Sequence, residues 1–242
     1  MNISWFALGW RSLWRDVRAG ELRLLMLAVA LAVAALAAVG FFSDRLKSGL
    51  ERDARQLLGG DAVVVSDNPP AAAWLDQARA LELEQALTLG FPTMGRAPDA
   101  QGGATRLVAL KAVDQGYPLR GQLRLTRDAQ DTTGVPTDSI PAPGEVWVAP
   151  PLLDALGLQL LLGDAAFRIA ELIALEPDRG AGFMNFAPRV MMRAADLPAT
   201  GLVQPASRIT WRLALAGPDA AVQRYLGWAD AELKKPEVRG VR

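Results

Sequence analysis

The 242 residues include no His and no Cys, so any chemistry must come from carboxylates, hydroxyls, Lys and Arg. An imidazole base, a Ser-His-Asp relay, a thiol nucleophile, a disulfide and a His- or Cys-ligated metal are all excluded. The remaining polar side chains do not form a recognisable catalytic pattern. The sequence contains no G-x-x-x-x-G-K-[ST] phosphate loop, no G-x-G-x-x-G following a strand and no G-x-S-x-G elbow. Glu82 and Glu84 could serve acid/base work, but dispersed surface acids are far commoner. Asp128, Asp131 and Gly134 have a faint look of a calcium loop, with the wrong ligand spacing and no central Gly, and read as a solvated loop. A hydrolase without His would need a Ser-Lys pair or carboxylates, and no such constellation stands out. Phe167, Ile169, Phe183, Phe186 and Trp211 read as core. Gly59 and Gly60 read as structural stops, and Arg189 and Arg208 as residues that orient strands or pair with acids. The expectation is a chain with no catalytic, cofactor-binding or metal-ligating residue, and not an enzyme.

The elements that would position any functional surface are more legible. From Leu24 to Phe42 nineteen residues pass without a charge, and at about 1.5 Å per residue they extend roughly 28 Å, close to the hydrocarbon thickness of a bilayer. This reads as one transmembrane helix. A buried core helix would usually keep a polar stripe. A cleaved signal peptide is the other alternative, since Ala35-Leu36-Ala37 has the form of a cleavage site. The long preceding polar region and the apolar continuation to Phe42 weigh against it.

Before the span, Ile3, Phe6, Trp10, Leu13, Trp14 and Val17 recur at helical spacing with Arg11, Arg15 and Arg18 between them. That pattern suits either a helix lying in the headgroup layer or one packing on a protein partner. Four basic residues flank the span on each side, Arg11, Arg15, Arg18 and Arg23 against Arg45, Lys47, Arg52 and Arg55, so the positive-inside rule gives no orientation. Helical periodicity continues beyond the span through Leu46, Leu50, Ala54, Leu57 and Leu58 until Gly59-Gly60 stops it. This extension reads as a stalk, or as an amphipathic helix packed on the following domain.

After the Gly pair, strands are expected at Asp61 to Ser66, Thr105 to Val113, Gln122 to Leu125, Glu145 to Val148, Ala166 to Ile173, Arg189 to Met192 and Arg208 to Ala216. Helices are expected at Ala71 to Leu83, Pro151 to Leu156 and Asp219 to Leu233. Strands outnumber helices and do not alternate with them, which makes the fold class α+β. The whole chain balances 26 basic against 26 acidic side chains, which argues against a nucleic-acid partner. The balance is uneven along the chain: residues 1–60 carry eight basic and five acidic residues, the rest 18 and 21.

Several motifs in order along the chain support a resemblance. They are Arg15-Asp16-Val17-Arg18-Ala19-Gly20-Glu21-Leu22-Arg23, Leu58-Gly59-Gly60-Asp61 with Ser66 and Trp74, Lys111-Ala112-Val113-Asp114, Tyr117-Pro118-Leu119-Arg120-Gly121, and Val148-Ala149-Pro150 with Leu152-Leu153. The most specific are Glu176-Pro177-Asp178, Phe186-Ala187-Pro188-Arg189-Val190-Met191-Met192, and Gln204-Pro205 with Ser207-Arg208-Ile209-Thr210-Trp211-Arg212. With these the chain resembles the N-terminal part of a YbbP-like ABC transporter permease, in the group that includes MacB, the Lol lipoprotein-release permeases and FtsX.

The resemblance implies an amphipathic cytoplasmic or interfacial helix over 1–20, a transmembrane helix over 21–42 and a helical stalk over 43–60. Residues 61–242 would form a MacB-like periplasmic core domain of mixed strands and short helices, with room for two subdomains, ending before further transmembrane helices. It implies location in the bacterial inner membrane with the N-terminus in the cytoplasm, a separate cytoplasmic ABC ATPase subunit and the remainder of the permease as partners. A periplasmic esterase or lysophospholipase partner and the handling of hydrophobic compounds or lipids are implied for this branch. The function implied is transmission of ATP-driven motion across the membrane; a membrane-tethered binding or scaffold module with no ATPase is the alternative. One departure is visible: Gln159-Leu160-Leu161-Leu162 leads directly to Gly163-Asp164 where the family supplies two Gly-Asp turns, which leaves that hairpin open.

Overall fold

The structure is a computed structural model that describes residues 5, 9–11, 14–15, 20–179, 186–204 and 207–234. It divides into two compact units, 1–52 and 53–242. The first unit is dominated by helix α1, Glu21–Leu58, whose residues from 53 onward belong to the second unit. Among the described residues one helix, Arg23–Leu58, is long and apolar enough to cross a membrane. Its apolar side chains are bare to their surroundings: Leu24, Leu31, Leu36 and Phe41 are all exposed. Most of the expected interfacial helix, with Ile3, Phe6, Leu13 and Val17, lies outside the described residues. Trp5, Trp10 and Trp14 are helical and exposed.

Helix α1 ends at Leu58 because Gly59 takes a left-handed conformation, φ +73°. The Gly59 N–H donates to the Gln56 carbonyl at 3.2 Å and the Gly60 N–H to the Arg55 carbonyl at 3.3 Å. This is the paired closure that satisfies a helix's last carbonyls, and glycine adopts it without the penalty a Cβ would bring.

Among its described residues the second unit holds ten strands: β1 Ala62–Ser66, β2 Glu84–Arg96, β3 Thr105–Val113, β4 Leu123–Thr126, β5 Val135–Thr137, β6 Glu145–Val148, β7 Gln159–Leu162, β8 Ala165–Leu175, β9 Arg189–Arg193 and β10 Thr210–Ala216. Helices α2, Ala72–Ala80, α3, Pro150–Leu156, and α4, Asp219–Leu233, lie between or after them. The main pairing path runs β1-β10-β2-β3-β9-β6-β8-β4-β5, and β7 pairs with both β2 and β8. That double pairing closes β2, β3, β9, β6, β8 and β7 into a ring of six strands, with β1-β10 and β4-β5 as extensions. Alternation along β3 sends Val108, Leu110 and Ala112 into the core of the ring, where they meet Val190 and Met192 of β9 and Leu152 and Leu156 of α3. A second core lies beneath α2 and α4, where Trp74, Tyr225 and Val222 pack over Val64, Leu213 and Leu215.

The α+β class expected from the sequence is what the chain forms, and every expected strand and helix after residue 60 is present with small shifts of its ends. Three strands were not foreseen: β2, β5 and β7. In β2, Gly90, Pro92 and Gly95 break the periodicity. Pro92 lies after the stretch that pairs with β10, which reaches Gly90, and before the stretch that pairs with β7, which begins at Gly95. A missing N–H there removes no ladder bond. The β7–β8 hairpin left open by the sequence is formed: Leu162 pairs with Ala165 across the two-residue turn Gly163-Asp164, and Gly163 has φ +57°.

Candidate functional site

On the opposite face of β3 from the ring's core, alternation places Lys111, and on β9 it places Arg189. The two strands run parallel with Ala109 opposite Arg189 and Lys111 opposite Met191, so both cations point to one side. There they meet the segment that leaves β8, Glu176-Pro177-Asp178. Lys111 Nζ donates to Glu176 Oε1 at 2.8 Å, to Asp178 Oδ1 at 2.6 Å and to the Tyr117 hydroxyl at 2.8 Å. Tyr117 donates to Asp178 Oδ1 at 2.5 Å, and Arg189 Nε to Glu176 Oε2 at 2.8 Å. The Lys111 ammonium also lies 4.2 Å from the centre of the Tyr117 ring. All five side chains are buried.

Two cations against two carboxylates make the network close to neutral, which is what permits its burial. Burial pushes the Glu176 carboxyl up, but the Lys111 and Arg189 charges outweigh it and hold the group below its ordinary value. Burial likewise opposes ionisation of Asp178, and Lys111 with the Tyr117 hydroxyl outweighs it, so this carboxyl is also held low. Tyr117 goes the other way: burial first, then the Asp178 and Glu176 charges, raise its hydroxyl well above the usual range. The arrangement therefore fixes two carboxylates and a neutral phenol. Both carboxylates are engaged by cations at hydrogen-bond distance, which suits holding segments together rather than exchanging protons.

The network lies against the end of α1. A Cβ built on Gly59 would stand 3.2 Å from Asp178 Cβ, and one on Gly121 would stand 2.6 Å from Pro177 Cβ and 3.0 Å from the Gln56 carbonyl oxygen. The Arg120 N–H donates to the Gly59 carbonyl at 3.2 Å. Two residues beyond Gly59, Asp61, whose carboxylate is 3% exposed, accepts from Arg120 Nε at 3.1 Å, Arg120 Nη2 at 2.7 Å and the Gly217 N–H at 3.0 Å, with Arg55 Nη1 at 3.6 Å. The residues 53–61 are thus gripped by two buried acidic centres joined through the loop 117–121. Beside them a cleft of about 540 Å³ is lined by Gln56, Leu57, Gly121, Gln122, Leu175, Glu176 and Pro177.

Five of the motif segments singled out in the sequence converge here: Leu58-Gly59-Gly60-Asp61, Lys111, Tyr117 to Gly121, Glu176-Pro177-Asp178 and Arg189. Arg189 pairs with an acid as expected; Arg208 is exposed and apart from the site. Glu82 and Glu84 are exposed and outside it. Asp131 is occupied in holding its own loop, accepting from the Thr133 N–H at 2.8 Å and the Thr133 hydroxyl at 2.6 Å, and these bonds bring its carboxyl down to about 2. Phe167 and Ile169 are core residues, and Trp211 packs partly buried against them. Phe186, expected in the core, is 88% exposed, because it precedes β9 outside the ring. Phe183 lies outside the described residues. Composition could not mark Lys111 and Tyr117 as partners of Glu176 and Asp178, since their contact depends on strand pairing.

Against curated proteins, the chain is 37% identical over 233 residues to the "Uncharacterized ABC transporter permease YbbP" of Escherichia coli (strain K12), across 95% of this chain and 27% of that protein. The chain is similar to part of this permease and spans about a quarter of its length. Among solved structures, the fold is similar to the periplasmic region of MacB from Actinobacillus actinomycetemcomitans, with a TM-score of 0.40 and 6% identity over 78% of this chain and 90% of that one. No protein-family model matches the chain.

Proposed function

We propose that this chain is the section of a bacterial ABC export-type permease that carries motion from the membrane to a periplasmic domain. Its N-terminus is in the cytoplasm, α1 crosses the inner membrane, and residues from 61 onward are periplasmic. A cytoplasmic ABC ATPase and the remainder of the permease drive the helix, and the substrates are hydrophobic compounds or lipids, handled with a periplasmic esterase or lysophospholipase. The observation that carries this reading is the length and termination of α1. Its 38 residues extend roughly 57 Å, nearly twice the hydrocarbon thickness of about 30 Å, and its end is held by the Arg120 N–H on the Gly59 carbonyl and by the close approach of Gly59 to Asp178 and of Gly121 to Gln56. A helix whose function was anchorage alone would not need that overshoot or that grip.

Two experiments test it. Ser139 and Arg208 are outside the core, and the chain has no native Cys, so single Cys at either position should react with an impermeant maleimide in intact cells. Protection of both until lysis would overturn the orientation. In a permease that contains this chain, Leu50→Pro should break α1 locally at a cost of about 3 kcal/mol or more and uncouple ATP hydrolysis from transport while assembly persists. Normal transport by that variant would overturn mechanical coupling through the helix.

A further inference from the structure

We infer that Arg55 is an exchangeable latch that ties the last turn of α1 to the start of α4, an inference that deepens the coupling reading above and rests on it. The Arg55 guanidinium stands between two acceptors of different kinds. Nη1 donates to Asp219 Oδ1 at 2.8 Å and lies 3.6 Å from Asp61 Oδ1. Asp219 is 73% exposed and is the first residue of α4; the Asp61 carboxylate is 3% exposed. The first pair is in solvent, where an ion pair is weak and screened by salt. In the second the carboxylate is buried, where it would be costly without partners.

The asymmetry decides which contact gives way. Asp61 keeps both Arg120 bonds and the Gly217 N–H whether or not Arg55 approaches it, so Arg55 can move without leaving a buried charge uncompensated. Gly217 precedes α4 by a single residue, Pro218. Asp61 therefore holds the end of β10 firmly, while Arg55 holds α4 loosely. Displacement of the α1 terminus would break the Asp219 contact first and free the terminus from α4, and the hold on β10 would remain. The device is a release built of one exposed pair beside one buried centre.

The test is amide hydrogen exchange on the full chain in lipid nanodiscs, read at Gly59 and Gly60, whose N–H groups close α1. Asp219 also sits in the first turn of α4 and its replacement affects that helix by itself, so α4 amides are not the readout. Asp219→Asn and Arg55→Gln should each raise exchange at Gly59 and Gly60 by about two- to fivefold, the range expected for losing a surface ion pair. The effect of the double variant should fall short of the sum of the two single ones, and about 0.5 M NaCl should raise exchange in the wild-type chain in the same direction. The Asp61 N–H, bonded to the Leu215 carbonyl, should be unchanged in these variants and faster in Asp61→Asn. Unchanged exchange at Gly59 and Gly60 in both single variants, or additive effects, would overturn the latch. Its failure is separable from that of the coupling reading: normal transport by Leu50→Pro removes the coupling, and the exchange pattern alone decides whether Arg55 ties the two helices.

Discussion

Lys111 and Asp178 are 67 positions apart in the chain and 2.6 Å apart in space. The ammonium that makes this contact also meets Glu176 and Tyr117, so one side chain engages both carboxylates of a buried acidic segment, with Arg189 supplying the second positive charge. Lys111→Met should therefore destabilise the chain by about 3–5 kcal/mol, the range for leaving buried carboxylates without their partner. Tyr117→Phe, which removes one hydrogen bond, should cost about 1–2 kcal/mol. Denaturant unfolding of the full chain in detergent measures both, and equal losses for the two would refute the central place given to Lys111.

The same network sets a pH response. Glu176 and Asp178 hold their protons more weakly when folded than when unfolded. Their stabilisation is complete above their ordinary values near 4 and is lost as pH falls through those values toward the lower folded ones. Tyr117 holds its proton more tightly when folded. Its share is complete below its ordinary value of about 10 and declines as pH rises past that point. Melting temperature plotted from pH 2 to 11 should show a plateau with losses at both ends. Lys111→Met should flatten the acid limb, because the carboxylates then lack the charge that holds them low.

Two glycines separate backbone strain from crowding. Gly121 and Gly102 both have positive φ, +82° and +91°, but only Gly121 faces close neighbours; nothing lies within 4 Å of a Cβ on Gly102. Gly102→Ala should cost only the left-handed backbone penalty of about 1–2 kcal/mol. Gly121→Ala should cost about 1–3 kcal/mol more, because Pro177 and the Gln56 carbonyl must shift. Indistinguishable melting temperatures for the two variants would contradict the close approach of loop 117–121 to the end of α1.

Closure of the strand ring has its own marker. A Cβ at Gly95 would stand 2.9 Å from Leu160 Cδ1, where β7 meets β2. Because that neighbour is the end of a flexible side chain, Gly95→Ala should cost only about 1 kcal/mol. Leu160→Ala alone should cost about 2–5 kcal/mol, and the combination should cost less than the sum. Strict additivity in a double-mutant cycle would argue against contact between the two strands here.

The sequence carried the local part of this fold and little of its closure. Strict alternation over Ile209, Trp211, Leu213 and Leu215 marked β10, and the unchanged bounds of β3 and α4 show how far periodicity reaches when apolar positions are regular. It failed at β2, where Gly90, Pro92 and Gly95 are placed by tertiary demands, a gap in the ladder and a close approach to Leu160. The charge network was visible only as separate motifs. Whether Lys111 reaches Glu176 depends on β3 lying beside β9 and on β8 ending near both, and no local pattern encodes that.

The long sequence separations at the end of α1 have a consequence for biogenesis. A ribosome makes α1 first, yet its Arg55 must wait for Asp219, 164 positions later, and its Gly59 for Asp178. At about 5–20 residues per second that interval is roughly 8–33 s, during which the distal end of α1 is untethered. The joint is thus completed only after most of the second unit has emerged, so an early arrest of translation would leave the end of α1 without the partners that fix it.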